Sequence, residues 1–220
     1  MESNKVCGIF LGGEPFNKPF LEERIKKLDY IIAADSGCDM LLSFGRFPDL
    51  FLGDMDSVTE ETLDRCRLQN VEILNYPAAK DFTDGEMALS EAATRGYTNL
   101  EIYAAYGDRF DHTMANIFTA VSYAQKGMQI KFINKDFTAY LSNGELTVNG
   151  EKGDLISILP LSEKVSGVML EGFLYALNKE ELRFTSARGV SNIMETATGH
   201  IKHESGILLV IHYPKKEGNF

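Results

Sequence analysis

Short apolar runs alternate with segments of helical periodicity along the first part of the chain. The runs lie at 6–11, 30–34, 50–52, 71–74, 100–105 and 130–133. Between them, residues 20–28, 38–44, 59–69, 84–95 and 111–125 carry apolar positions at helical spacing. Strand–helix alternation of this kind predicts a parallel sheet with helices on both faces, a three-layer α/β/α domain over residues 1–135. Thr83-Asp84-Gly85-Glu86 has the spacing of a capping box, which starts the fourth helix there.

The texture changes after residue 135. Asn143-Gly144 separates two alternating runs, 139–141 and 146–148, and predicts a β-hairpin. Residues 154–160, 165–170, 182–185 and 207–213 read as further strands joined by short turns. The expectation is an all-β C-terminal sandwich domain over 136–220. No internal repeat, low-complexity tract or Pro/Gly/Ser-rich linker separates the two parts, so they should pack closely.

Composition narrows the function classes. The 220 residues include 22 Lys and Arg against 32 Asp and Glu, a formal charge of −10. That balance argues against a broad nucleic-acid surface, which needs clustered cations. No apolar run approaches the ~20 residues of a membrane helix, and Met1–Lys5 leads straight into an apolar strand rather than a signal peptide. Three cysteines, Cys7, Cys38 and Cys66, form no CxxC pair; their odd number suggests free thiols and a cytoplasmic protein.

The chemistry gathers where the strands end. The second run leads into Asp35-Ser36-Gly37, the third into Gly53-Asp54-Met55-Asp56-Ser57, the fourth towards Lys80-Asp81-Phe82-Thr83-Asp84, and the fifth into Gly107-Asp108-Arg109-Phe110-Asp111-His112. In a parallel sheet these loops share one edge, the edge where ligands bind. Asp35, Asp54, Asp56, Asp84 and Asp111 can therefore converge. Converging carboxylates repel one another unless cations compensate. Mg²⁺ suits such a site, because it prefers hard oxygen donors and is commonly shared with phosphates. Arg109 and Lys80 would add positive charge for a phosphate. The bland alternative is that each aspartate caps a helix or turn. Arg109 would then pair with Asp108 or Asp111, and Lys80 would be a solvated lysine. Gly12-Gly13 permits close backbone approach, but neither GxGxxG nor a P-loop is present.

These motifs, with Gly189-Val190-Ser191-Asn192 further on, stand in an order and spacing that resembles the thiamin pyrophosphokinase family. The resemblance covers about residues 6–213. It implies transfer of a diphosphate from ATP to the hydroxyl of thiamin with release of AMP. It also implies a homodimer with sites at the subunit interface. Carried over by motif, Asp54, Asp56 and Asp84 would hold Mg²⁺, with Asp35 near metal and phosphates. Arg109 and Asp111 would line the nucleotide–thiamin junction and, with Asp54, Asp56 and Asp84, serve catalysis, Asp111 or Asp35 taking the hydroxyl proton. Ser36, Lys80, Thr83 and His112 belong to the matched binding motifs, and Ser191 and Asn192 would lie at the thiamin site. The sequence departs from the family pattern at Asp108, where a second glycine is common.

Three other readings stand beside this one. One is a diphosphokinase acting on a pterin alcohol, and another a metal-dependent phosphohydrolase. The third is a non-catalytic sensor or interaction module whose acidic edge only caps helices. Read alone, residues 185–192 suit a β-turn as well as an aminopyrimidine site. Phe173 and Tyr175 suit a stacked ring or core packing. His200 and His203 have metal-like spacing but read as a surface pair, since no Cys or further His accompanies them.

Overall fold

The computed structural model describes residues 5–55, 58–77 and 82–215; Asp56 and Lys80 lie outside the described residues. The described residues form two compact units. One runs to Tyr123 and includes Phe132–Lys135; the other takes Ala124–Lys131 and the described residues from Asp136 onward.

The expected alternation is present element by element. The chain runs β1 (Val6–Phe10), α1 (Lys18–Ile25), β2 (Tyr30–Ala34), α2 (Gly37–Ser43), β3 (Leu50–Gly53) and α3 (Glu60–Leu68). It continues through β4 (Glu72–Asn75), α4 (Asp84–Thr94), β5 (Asn99–Tyr103), α5 (Phe110–Ala124) and β6 (Gln129–Ile133). Helix α1 begins earlier than its apolar pattern suggests. Asn17 Oδ1 accepts from the Phe20 N–H at 3.1 Å, and Pro19 sits in the first turn. Strand β1 pairs in parallel with β2 on one side and β5 on the other; β2–β3 and β3–β4 are also parallel. The chain thus steps outward from β1 to β4 and returns to the far side of β1 as β5. Strands β1, β2 and β3 are nearly continuous apolar runs because both faces are buried. Phe10, Ile31, Ala33 and Phe51 share a core cluster with Leu21 and Ile25 of α1, Leu41 of α2 and Cys66 of α3. Helix α4 packs on β1, β2 and β3.

In the second unit the strands are β7 (Thr138–Ser142), β8 (Glu145–Asn149), β9 (Leu155–Pro160) and β10 (Lys164–Glu171). They are followed by β11 (Leu177–Arg183), β12 (Asn192–Ile193), β13 (Thr198–Lys202) and β14 (Leu208–Tyr213). They form two antiparallel arrays, β12-β9-β14-β7 and β11-β10-β13-β8. Side chains of both arrays build one core, with Ile156, Ile158 and Val210 from the first and Val168, Leu182 and Ile201 from the second.

Two expectations fail here. Asn143-Gly144 makes a turn, but β7 and β8 do not pair as a hairpin. β7 pairs with β14 and β8 with β13, so the turn crosses between arrays. The histidine pair is split by burial. His200 lies exposed on β13, whereas His203 is buried beneath the turn. His203 Nε2 accepts from the Gly144 N–H at 3.0 Å and lies 3.1 Å from Ser142 Oγ, while the His203 N–H donates to Gly144 O at 2.8 Å.

Candidate functional site

A cleft of about 550 Å³ opens at the carboxyl ends of β1, β2 and β5. This is the point where the strand order reverses around β1, the usual ligand position in an open parallel sheet. Its walls are residues 11–15 after β1, 34–36 after β2, 83–85 at the start of α4, several residues of 104–109 after β5, and the inward face of α5. The volume falls within the range of small-molecule sites, roughly 300–1,000 Å³.

Of the expected residues, Asp35, Ser36, Thr83, Asp84, Arg109 and His112 line this cleft together. Asp54 follows β3, one strand further along, and Asp111 lies in the first turn of α5. The tips of β2 and β3 are nevertheless in contact. The Asp35 N–H donates to Leu52 O at 3.0 Å. A Cβ placed on Gly53 would collide with Asp35 Oδ1, so the Asp35 carboxylate lies directly over the residue that precedes Asp54. Gly53 itself has φ +146°, which favours glycine.

The backbone at this edge is unusual. Asp35 (φ 48°), Met55 (φ 65°) and Ala104 (φ 53°) are left-handed without being glycine, and each directly follows, or lies two residues beyond, the end of a strand. Such conformations cost of order 1–3 kcal/mol each and collect at functional sites. The β1 loop is held against the β5 loop. The Gly13 N–H donates to Ala104 O at 2.9 Å and the Glu14 N–H to Tyr106 O at 2.6 Å. A Cβ on Gly13 would strike both carbonyls, so this close approach requires glycine.

Thr83 is the N-cap of α4, its Oγ1 accepting from the Glu86 N–H at 3.1 Å, as the capping-box spacing predicts. Residues 83–85 bring the N-terminus of α4 to the cleft, and a helix N-terminus favours an anion. Arg109 makes a two-point contact with Asp111, Nε to Oδ1 at 3.2 Å and Nη2 to Oδ2 at 2.6 Å. This hydrogen-bonded guanidinium, above all, holds the Asp111 carboxyl below its ordinary range.

In the second unit Ser191 is exposed and left-handed at φ 61°. Asn192 is buried, and its amide is occupied locally. Oδ1 accepts from the Tyr175 and Ile193 N–H groups at 3.0 and 2.9 Å, and Nδ2 donates to Tyr175 O at 2.8 Å. Of the two aromatics considered for stacking, Phe173 is buried and Tyr175 is exposed.

Sequence reasoning missed Asn116. It lies on α5 one turn beyond His112 and Thr113, and all three line the cleft. Polar residues at that spacing on an otherwise apolar helix were the available signal.

A family model described as the thiamin pyrophosphokinase catalytic domain matches residues 21–132, and one described as the thiamin pyrophosphokinase vitamin B1 binding domain matches residues 145–208. The chain is 29% identical over 209 residues to a thiamine pyrophosphokinase of Bacillus subtilis, covering 94% of this chain and 98% of that one. The crystal structure of thiamine pyrophosphokinase from Bacillus subtilis superposes with a TM-score of 0.86 at 27% identity, covering 96% of this chain and all (100%) of that one. Thiamin pyrophosphokinase from Candida albicans shares the fold, with a TM-score of 0.79 at 16% identity over 96% of this chain and 89% of its own.

Proposed function

This chain belongs to the thiamin pyrophosphokinase family, and we propose how its cleft moves the diphosphate of ATP onto the hydroxyl of thiamin and leaves AMP. The observation that carries the reading is the meeting of Asp35, Asp84, Arg109 and the N-terminus of α4 in one cleft of nucleotide size. The phosphates enter over the first turn of α4, where N–H groups and the helix dipole meet them. Arg109 turns its fork from Asp111 to a phosphate oxygen. Relieved of that partner, Asp111 becomes more basic and takes the proton of the thiamin hydroxyl. The hydroxyl oxygen forms a bond to the β-phosphorus as the bond from that phosphorus to the α–β bridging oxygen breaks. AMP departs with that oxygen. The protein contributes positioning and charge rather than a covalent intermediate.

The donor types suit Mg²⁺, although among the described residues no three such side chains already gather as a metal set. Hard carboxylate oxygens stand at adjacent strand tips, with Asp35 lying over Gly53 next to Asp54. Mg²⁺ commonly takes one or two carboxylates together with substrate phosphates and water. Asp54, Asp56 and Asp84 would hold the ion, with Asp35 beside it. When bound it neutralises charge on the phosphate oxygens.

The reading includes the three-layer arrangement of residues 1–135 as the catalytic domain and a β-sandwich over 136–220 as the thiamin-binding domain. Ser36, Lys80, Thr83 and His112 attend the nucleotide, and Ser191 and Asn192 the thiamin. It includes a homodimer with thiamin sites at the subunit interface, which the exposed Leu174, Tyr175 and Val190 around Ser191 support. Three free buried cysteines support a reducing, cytoplasmic setting.

The test is an acceptor panel with ATP and Mg²⁺. Thiamin should drive AMP release while a pterin alcohol and water do not. Turnover with the pterin alcohol, or ATP breakdown without an acceptor, overturns the assignment of substrate.

A further inference from the structure

The β5–α5 loop carries Arg109 yet contains Ala104 in a left-handed conformation. A strained alanine does not hold its place unaided; its surroundings must over-determine it. One side chain does so from α5. Asn116 Nδ2 donates to Ala105 O at 3.0 Å, next to the strained residue. The other end of the same amide faces a different wall. A Cβ placed on Gly85, the second residue of α4, would stand 2.8 Å from Asn116 Oδ1. Asn116 is half-buried and lines the cleft with both of its neighbours.

We propose that Asn116 is a positioning residue for the diphosphate transfer: its amide fixes the Arg109 loop against the first turn of α4. The inference rests on the functional reading above. Arg109 and the helix N-terminus must address the same phosphate chain, so their separation matters to the reaction. A single planar amide, hydrogen-bonded to one wall and with its Oδ1 close beside Gly85 of the other, sets that separation. A side chain at position 85 would press on that amide, so glycine there leaves Asn116 Oδ1 in place.

The experiment is a set of steady-state measurements on the full chain with ATP, Mg²⁺ and thiamin. Asn116→Ala should lower kcat about 10–100-fold, the scale of a small misplacement of catalytic groups. Its KM for thiamin should stay within roughly 3-fold of the wild-type value. Asn116→Ser, too short to reach Ala105, is run beside it and should behave alike. Gly85→Ala favours the helix, so it should leave the melting temperature unchanged or raise it while lowering kcat. In the Asn116→Ala background it should lower kcat no further, because the Cβ then has room. Arg109→Ala should likewise cost far less in that background than alone. The proposal is overturned if Asn116→Ala or Asn116→Ser keeps kcat within about 2-fold of wild type, or if the effects of Asn116→Ala and Arg109→Ala simply multiply. A wild-type protein that makes no thiamin diphosphate defeats the functional reading instead, which separates the two failures.

Discussion

Arg109 and Asp111 hold each other through two parallel hydrogen bonds at the mouth of the cleft, both side chains largely exposed. On the proposed reading, this pair occupies the guanidinium until a phosphate takes its place. The Asp111 carboxyl is therefore expected to titrate below its ordinary range in the wild type and to return upward in Arg109→Ala, as read by NMR of the carboxyl carbon. High salt should narrow the difference, because exposed pairs are screened. The same variant should lose most of its turnover, by about 100-fold or more, if Arg109 binds the transferring group. Unchanged titration of Asp111 would mean the pair does not persist in solution.

Asp54→Ala and Asp84→Ala should each reduce turnover by more than about 100-fold, a loss that higher Mg²⁺ restores only in part. Their thermal midpoints should stay close to wild type, since neither carboxylate belongs to the apolar core. Variants with near-normal turnover at ordinary Mg²⁺ would remove these residues from the metal site.

Gly53→Ala tests the contact between the β2 and β3 tips. The new methyl group meets Asp35 Oδ1, and φ +146° is strained for alanine. A loss of roughly 1–3 kcal/mol in denaturant unfolding is expected, with reduced turnover. An unchanged midpoint would show that this tip relaxes freely.

His203 predicts a pH dependence in the second unit. Burial pushes its pKa below the ordinary 6.5, so the unfolded chain binds a proton more readily than the folded one. Its contribution is fully present above that unfolded value and is lost as pH falls below it, towards the lower folded value. Stability should thus decline as pH falls below about 6.5. Protonation also removes the Nε2 acceptor used by the Gly144 N–H. Asp154 acts in a lower window. Burial opposes its charge, but N–H donors from Glu151 and Lys215 outweigh that and keep its pKa low. His203→Gln should be less stable at neutral pH and flatten the slope in the upper window. A slope identical to wild type in denaturant titrations would contradict the assignment.

The alternation of strands and helices was legible because β1, β2 and β3 are buried on both faces and so stand out as apolar runs. The acidic strand tips were legible for the same reason: once the strands are placed, topology puts their ends on one edge. Long-range choices were not. Asn143-Gly144 announces a turn but not the partners of the strands it joins; those are set by register with β13 and β14. Strand β13 is hidden because His200 and Lys202 face outward from a strand whose inward residues are Gly199 and Ile201. The helical spacing of His112, Thr113 and Asn116 marks a polar face, but it does not show that the partner of Asn116 is a backbone carbonyl eleven residues earlier. The amide of Asn192 was matched by motif, yet its bonds to Tyr175 depend on how a distant loop folds back.

The central claim is that this cleft transfers an intact diphosphate between two particular substrates. The direct measurement is to incubate the protein with ATP, Mg²⁺ and thiamin and to quantify AMP and thiamin diphosphate in the same sample over time. The account predicts that both rise together in equal amounts and that neither forms when thiamin is omitted. AMP or phosphate release that ignores thiamin, or thiamin left without its diphosphate, would contradict it.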